Sequence, residues 1–420
     1  MRGALSTVLA AAGGTHAIAF VNPAGWAPPR IKSSKSWGRG VQNLKAQQTL
    51  TLDVDSSMIA RPDKAARGGD DAYFVNVGDS GALDLGVFDG VGGWASLGHD
   101  PGVFSRGFAK ATAANITAQR AEEAAVSLRR SQLEGEPLPR IAQGVDLQQA
   151  LEYATTNAAL AGTQGTCTAC VVTFDPVYGM LNGVNVGDSG ALLVRRDARG
   201  TPFVALRTAT QRHNFNQPYQ LGTGSRDKAH DARDFLFYVR EGDLVVLATD
   251  GLLDNMFESD ILRCIEEASE GDAEITAHES CDKPVDLASA LARKAFNLSR
   301  DKERLTPWEE EAVAAGVIPT RGSIDGPSTD RGKRGLEWDA SKWGLALERS
   351  VTAGLNSFRQ GAAGAPKQDD RRESIMPEED TTSFRGGKMD DITVLVATVR
   401  RAGSLSRKAT VREGADARTT

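Results

Sequence analysis

The sequence predicts one mixed α/β unit running from about Asp53 to Val399 of a 420-residue chain. Three observations carry that expectation. Short apolar or alternating runs recur with the two-residue period of strands. Helix candidates lie between them. Acidic residues gather where the runs begin or stop, the places where strands leave a sheet.

Taken in order, strands are expected at Tyr73–Val77, Leu83–Phe88, Ala169–Phe174, Met180–Val186, Leu192–Arg195, Leu244–Ala248 and Ile392–Val399. Helices are expected at Ser105–Ala125, which is rich in alanine, and at Leu147–Leu160 behind Asp146, whose side-chain oxygen suits a helix start. Two more are expected at Ser259–Ala268 and at Val285–Ser299, the latter with Asp286 in its first turn. Ser127–Arg140 is charged, holds two prolines and reads as a surface loop. Ile318–Arg385 is rich in Gly, Ser, Asp and Arg and reads as a large, partly disordered insertion, with a short helix candidate at Trp338–Ser350. The domain is thus placed at 53–401, followed by a polar tail at 402–420.

Composition limits the function classes. The chain is 25% charged and 40% hydrophobic, and no run approaches the ~20 apolar residues needed to span a bilayer. Residues 1–52 contain no Asp or Glu but carry Arg2, Arg30, Lys32, Lys35, Arg39 and Lys45. An Ala-rich stretch ends in Ala17-Ile18-Ala19 before Phe20, a small-residue cleavage pattern. A basic, Ser-containing stretch follows. This reads as a disordered organelle-targeting segment, resembling the bipartite presequences of plastids with extra envelope membranes. A mitochondrial or simple chloroplast transit peptide is the rival. Removing it takes the net charge from −6 to about −12, unsuited to non-specific nucleic-acid binding.

Four cysteines in this length are no disulfide framework. Cys167-Thr-Ala-Cys170 has redox or zinc spacing but falls on a strand candidate. Positions three apart on a strand face opposite ways, so buried small side chains are expected instead.

Five acidic clusters sit at strand ends: Asp70-Asp71, Asp89-Gly90, Asp188, Asp250 with Asp254, and Asp390-Asp391. Each alone is a turn signal. Together they could converge on one edge, where mutual repulsion would need divalent cations to offset it. Carboxylate and carbonyl oxygens suit Mg²⁺ or Mn²⁺, and no His/Cys set suits zinc. Two such ions about 3.5–4 Å apart can activate a shared water for attack on phosphorus. No nucleophile elbow, P-loop or dinucleotide-binding motif offers another chemistry.

Gly69-Asp-Asp-Ala72, Asp89-Gly-Val-Gly-Gly-Trp94, Gly165-Thr, Gly187-Asp-Ser189, Ala248-Thr-Asp-Gly-Leu-Leu-Asp254 and Gly386-Gly-Lys-Met-Asp-Asp-Ile-Thr-Val394 come in an order that resembles the type-2C (PPM) metal-dependent protein serine/threonine phosphatases. Asp100-Pro101, Phe104-Ser105 and His213-Asn-Phe-Asn-Gln-Pro-Tyr-Gln-Leu221 are similar to an organellar branch that includes mitochondrial matrix enzymes and a chloroplast enzyme acting on photosystem II core proteins. Pro62-Asp-Lys64 is similar to the plant members. The resemblance implies an α+β fold, an αββα sandwich of two antiparallel sheets flanked by helices. It also implies hydrolysis of phosphoserine and phosphothreonine in phosphorylated proteins, by a chain expected to be monomeric. By position, Asp89 would bridge two Mg²⁺ or Mn²⁺ ions with the Gly90 carbonyl as a further ligand. Asp250 and Asp390 would complete the pair, with Asp71 beside them. Asp188 and Asp254 would hold a third ion, while Asp70 and Asp391 stand one contact behind the metals. Two departures are visible. Val91 stands where many members have a proton-donating His, and Ala66 stands where they have a phosphate-binding Arg. Arg67 and His213 are the candidates to replace them. The alternative reading is a catalytically inactive scaffold, but such relatives typically lose metal-site Asp residues, and Asp71, Asp89, Asp250 and Asp390 are all present.

Overall fold

The computed structural model describes residues 50–78, 81–134, 145–176, 178–275, 286–321, 384–402 and 411–413. The described chain opens with strands β1 (Leu50–Ile59), β2 (Ala72–Val77) and β3 (Leu83–Phe88), then helices α1 (Pro101–Glu134) and α2 (Leu147–Leu160). Next come β4 (Thr166–Cys167), β5 (Ala169–Asp175), β6 (Met180–Val186), β7 (Gly190–Arg196) and β8 (Pro202–Arg207). Three short strands, β9 (Arg212–Asn214), β10 (Gln217–Pro218) and β11 (Leu221–Gly222), precede β12 (Arg233–Tyr238) and β13 (Leu244–Ala248). Helices α3 (Asp250–Leu253), α4 (Glu258–Ile275), α5 (Leu287–Ser299) and α6 (Pro307–Ala314) follow, then β14 (Ile392–Arg401) and β15 (Val411–Glu413).

Two main sheets form, in the orders β15-β1-β14-β13-β7-β8 and β12-β6-β5-β3-β2. Their pairings are antiparallel except β1 with β15 at an edge. Alternation along each strand sorts its side chains between layers. Leu83, Leu85 and Val87 of β3, Val172 and Phe174 of β5, and Leu193, Leu247 and Leu395 of the other sheet fill the space between the sheets. Phe88, Ala169 and Val171 turn outward to meet Phe104, Phe108 and Ile116 of α1 and Leu151 of α2. On the far side, Val246 and Val394 pack with Ile261 and Ile265 of α4 and Leu291 and Ala295 of α5. The result is the expected αββα sandwich, with β5 buried on both faces.

Several boundaries differ from the sequence reading. The strand at Leu50–Ile59 begins inside the stretch assigned to targeting; it was hidden because its outward positions are polar, while Leu52, Val54 and Ser56 are buried. Helix α1 starts at Pro101, with Asp100 accepting from the Gly102 N–H at 2.9 Å, and continues to Glu134 through the first part of the expected 127–140 loop. Ser127-Leu-Arg-Arg-Ser-Gln-Leu-Glu134 is mostly good helix-forming sequence, and charge alone did not mark a loop. Asp286 caps α5 rather than lying in its first turn, accepting from the Ser289 N–H at 3.0 Å. Strands β8 and β12 and helix α6 were not expected. Most of residues 1–52, the Trp338–Ser350 helix and most of the 318–385 insertion lie outside the described residues. Among the described residues no helix is long and apolar enough to cross a membrane.

Cys167 ends β4 in the outer core beneath α1 and Cys170 lies on β5 in the core between the sheets, so the two sulfurs sit in different layers. Both thiols are free, fully buried and pushed well above the ordinary thiol range by burial. A thiol-reactive probe at pH 8 is therefore expected to leave both unlabelled until denaturant is added. Labelling of either at full rate in the folded protein would contradict this placement.

Candidate metal centre

The strand registers bring the acidic ends together. Ala72 pairs with Phe88, so Asp71 and Asp89 share one end of their sheet. Ala169 pairs with Val186, which sets Asp188 at that same end. In the other sheet Ala248 pairs with both Val394 and Gly190, gathering Asp250, Asp390-Asp391 and again Asp188. Close backbone packing fixes this end. A Cβ on Gly90 would lie 2.5 Å from the Asp70 carbonyl, and one on Gly251 would lie 2.0 Å from that of Asp391.

Asp89, Asp188 and Asp250 each offer a carboxylate oxygen within 4.8 Å of the others. Asp188, expected only at a third ion, thus joins the central group. Asp71 is buried behind it and accepts hydrogen bonds from Thr249 Oγ1 at 2.8 Å and Thr393 Oγ1 at 2.7 Å. Asp391 ties the upstream loop to the cluster, accepting from the Arg61 and Asp70 N–H groups at 2.7 and 2.8 Å. Asp70 is fully buried and pairs with Lys64 at 2.8 Å and Arg67 at 3.0 Å.

The carboxylates are held at high electrostatic potential energy. Burial lifts the carboxyls of Asp71 and Asp89 well above the ordinary range, and neighbouring charges (Asp391 beside the first, Asp250 and Asp71 beside the second) lift them further. Asp250 is pushed up to about 7, by burial first and by Asp390 and Asp254 against the pull of Lys388. Asp390 goes the other way: despite burial, Lys388 and Lys64 hold it below the ordinary range.

One oxygen each of Asp71, Asp188 and Asp250 is buried with no hydrogen-bond partner. Buried, unpartnered carboxylate oxygens are costly unless something positive meets them. An all-oxygen donor set of this kind fits Mg²⁺ or Mn²⁺.

Three cations that the sequence reading did not place also enter the group. Lys388 Nζ contacts Asp250, lies 2.9 Å from Asp254 and 3.2 Å from Asp390, and sits over the Trp308 ring. Lys64 Nζ lies 3.1 Å from Asp391 and 3.5 Å from Asp390. Arg212 reaches Asp188 at 3.4 Å, Asp254 at 3.5 Å and Glu311. Lys388 was visible in the sequence, two positions before Asp390, and Lys64 in Pro62-Asp-Lys64; Arg212 had no local signal. A cleft of about 300 Å³ opens beside Asp188 and Asp254, with Arg207, Thr208, Arg212 and Leu253 on its walls.

The two candidates for missing roles are both engaged elsewhere. Arg67 spans Asp70 and Asp100, the latter at 3.3 Å. His213 Nε2 lies 2.8 Å from Asp227 and 3.1 Å from Arg226 Nε, with its ring stacked on Tyr219 at 4.1 Å. His99 rests edge-on against Trp94.

Beside the cluster, Glu309 of α6 is fully buried, and its carboxyl is lowered to about 2, chiefly by Arg321 and then by the Gly386 N–H and Arg385. A depressed carboxyl stabilises the fold above its unfolded pKa of about 4.5 and loses that contribution as pH falls through about 2. The melting temperature of wild type is expected to drop more steeply than that of Glu309→Gln between those two values. Parallel curves in differential scanning fluorimetry would contradict it.

Comparison with known proteins agrees with the motif order. A family model described as stage II sporulation protein E (SpoIIE) matches residues 110–302. Probable protein phosphatase 2C 26 of Arabidopsis thaliana is 32% identical over 360 residues, covering 86% of this chain and 87% of that protein. Probable protein phosphatase 2C 55 of the same plant is 32% identical over 279 residues, covering 66% of this chain; the chain spans only 50% of that longer relative. The X-ray structure of the photosystem II phosphatase PBCP is 26% identical, with 83% of this chain and 98% of that one covered and a TM-score of 0.49. Identity of 32% maintained across nearly the whole of a relative, together with the ordered acidic motifs, shows that the chain belongs to the protein phosphatase 2C family.

Proposed function

We propose that this chain is a metal-dependent protein serine/threonine phosphatase that hydrolyses phosphoserine and phosphothreonine in organellar proteins, with plastid proteins favoured over mitochondrial ones. The observation that carries this reading is the set of buried, unpartnered oxygens of Asp71, Asp188 and Asp250 at one end of the sandwich. Asp89, Asp250, Asp390 and Asp71, with the Gly90 carbonyl, would hold two Mg²⁺ or Mn²⁺ ions, and Asp188 with Asp254 would hold a third or share one of the two. Bound there, the ions would supply Lewis acidity and a water of lowered pKa.

The chain's own residues do the rest. Thr249 and Thr393 fix the Asp71 carboxylate, which prevents it from turning away from the cluster. Lys64 and Lys388 offset part of the negative charge that would otherwise repel a phosphate dianion. Arg212 lines the cleft beside Asp188, where an entering phosphorylated side chain would meet a positive group. The acid-free, basic composition of residues 1–52, with its small-residue cleavage pattern before Phe20, supports the plastid preference.

The purified chain, with Mn²⁺, is expected to release phosphate from phosphoserine and phosphothreonine peptides and to stop when the metal is chelated. Absence of Mn²⁺-stimulated release would sink the reading. A fluorescent fusion of residues 1–52 is expected to enter plastids; cytosolic fluorescence would remove the organellar part.

A further inference from the structure

We propose that Glu309 is the positioning residue of the metal centre, seating the turn Gly386–Asp391 from which Lys388, Asp390 and Asp391 project. The proposal rests on the metal-centre reading above.

The contacts converge on a single buried carboxylate. Thr306 caps α6, accepting from the Glu309 N–H at 3.3 Å, and its hydroxyl donates to the Gly386 carbonyl at 2.7 Å. One carboxylate oxygen of Glu309 accepts from the Gly386 N–H at 2.7 Å and from Arg321 Nη2 at 2.6 Å. The other accepts from Arg321 Nε at 2.7 Å and Arg385 Nη1 at 3.1 Å. Four donors thus meet a side chain with no exposed surface, and the two guanidiniums come from segments far apart in sequence.

The turn itself has little room to sit anywhere else. A Cβ on Gly386 would lie 2.4 Å from the Lys302 Cα, and one on Gly387 would lie 2.2 Å from the Leu298 carbonyl. Lys302 Nζ donates to the Gly387 carbonyl at 2.6 Å. Asn255 accepts from the Lys388 N–H at 2.9 Å and donates to its carbonyl at 2.8 Å. The residue before Glu309, Trp308, lies under the Lys388 ammonium, 4.8 Å from ring centre to Nζ. A single turn of α6 therefore holds the start of the Gly386–Asp391 segment through Glu309 and supports its first charged side chain through Trp308. Glutamine at 309 keeps the shape but turns one acceptor into a donor facing two of those four donors.

The test is isothermal titration of Mn²⁺ into the full chain, with melting curves and phosphopeptide kinetics alongside. Supporting groups of metal ligands typically govern affinity by about 10–100-fold. Glu309→Gln is expected to weaken Mn²⁺ binding by about tenfold and to lower kcat while leaving KM for the phosphopeptide unchanged. Arg321→Gln, at a partly exposed position, is expected to weaken Mn²⁺ binding in the same direction by a smaller factor. The double variant should be no worse than Glu309→Gln alone, because both act through one contact. Mn²⁺ affinity within about twofold of wild type for both single variants, measured where they remain folded, would reduce Glu309 to a structural residue and overturn the proposal. Weakened Mn²⁺ binding in a chain whose wild type cleaves no phosphopeptide would support the positioning role and instead defeat the phosphatase reading.

Discussion

Replacing Asp250 by asparagine is expected to lower kcat/KM for phosphoserine peptides by about a thousandfold, equivalent to ~4 kcal/mol of transition-state stabilisation. The carboxylate shares a 4.8 Å cluster with Asp89 and Asp188 and keeps one buried oxygen without a partner. An amide there offers a single weak oxygen and brings a donor to face the cluster. The fold should not suffer equally. Burial pushes the Asp250 carboxyl up to about 7, so near pH 8 the folded metal-free chain holds a charge it disfavours. An acid whose pKa is raised on folding withdraws stability as pH rises from its unfolded value through its folded one. The metal-free variant should therefore melt no lower than wild type at pH 8. Asp89→Asn is expected to lose activity similarly. Wild-type turnover in either variant would refute the ligand assignment. Lost activity together with a collapsed melting curve would show that Asp250 acts on the fold.

Replacing Phe104 by alanine is expected to destabilise the domain by about 3–5 kcal/mol and to lower the melting temperature by on the order of 10 °C. The side chain is fully buried in the first turns of α1, with its ring 5.8 Å from that of Phe108. Its other face fills the space left by two glycines: a Cβ on Gly165 would lie 2.4 Å from the ring, and one on Gly222 would lie 2.5 Å from it. The two glycines offer no side chain that could collapse into the cavity. The next residue matters to the metal centre, because Ser105 Oγ donates to the Asp70 carbonyl at 2.5 Å. Urea unfolding would measure the loss, and a change under about 1 kcal/mol would show that the site repacks.

How much of this could be read from the chain varied by element. Strands β5 and β13 were evident because their sequences run apolar and are almost wholly buried, and β3 and β6 because apolar residues recur along them. The strand at Leu50–Ile59 was not, because one face carries Asp53, Asp55 and Ser57, polar residues that mask its apolar alternation. Helix α1 was seen but cut short, since Ser127–Glu134 is charged without being turn-forming.

The candidate centre divides in the same way. Asp89, Asp188, Asp250 and Asp390 could be identified from their own neighbours, because a carboxylate at the end of an apolar strand is a local pattern. Their order along the chain identified the family. The counter-charges could not be found that way. Lys388 meets Asp250 and Asp254, and Lys64 meets Asp390, because antiparallel registers return distant segments to one edge; Glu309 meets Arg321, Arg385 and Gly386 because α6 packs against the segment leading into β14. Local sequence patterns record which residues prefer a strand, a cap or a turn, and so marked the acidic ends. Which cation reaches which carboxylate depends on packing between segments 12 to 326 residues apart, which no local pattern records, and so it was settled by the folded chain alone.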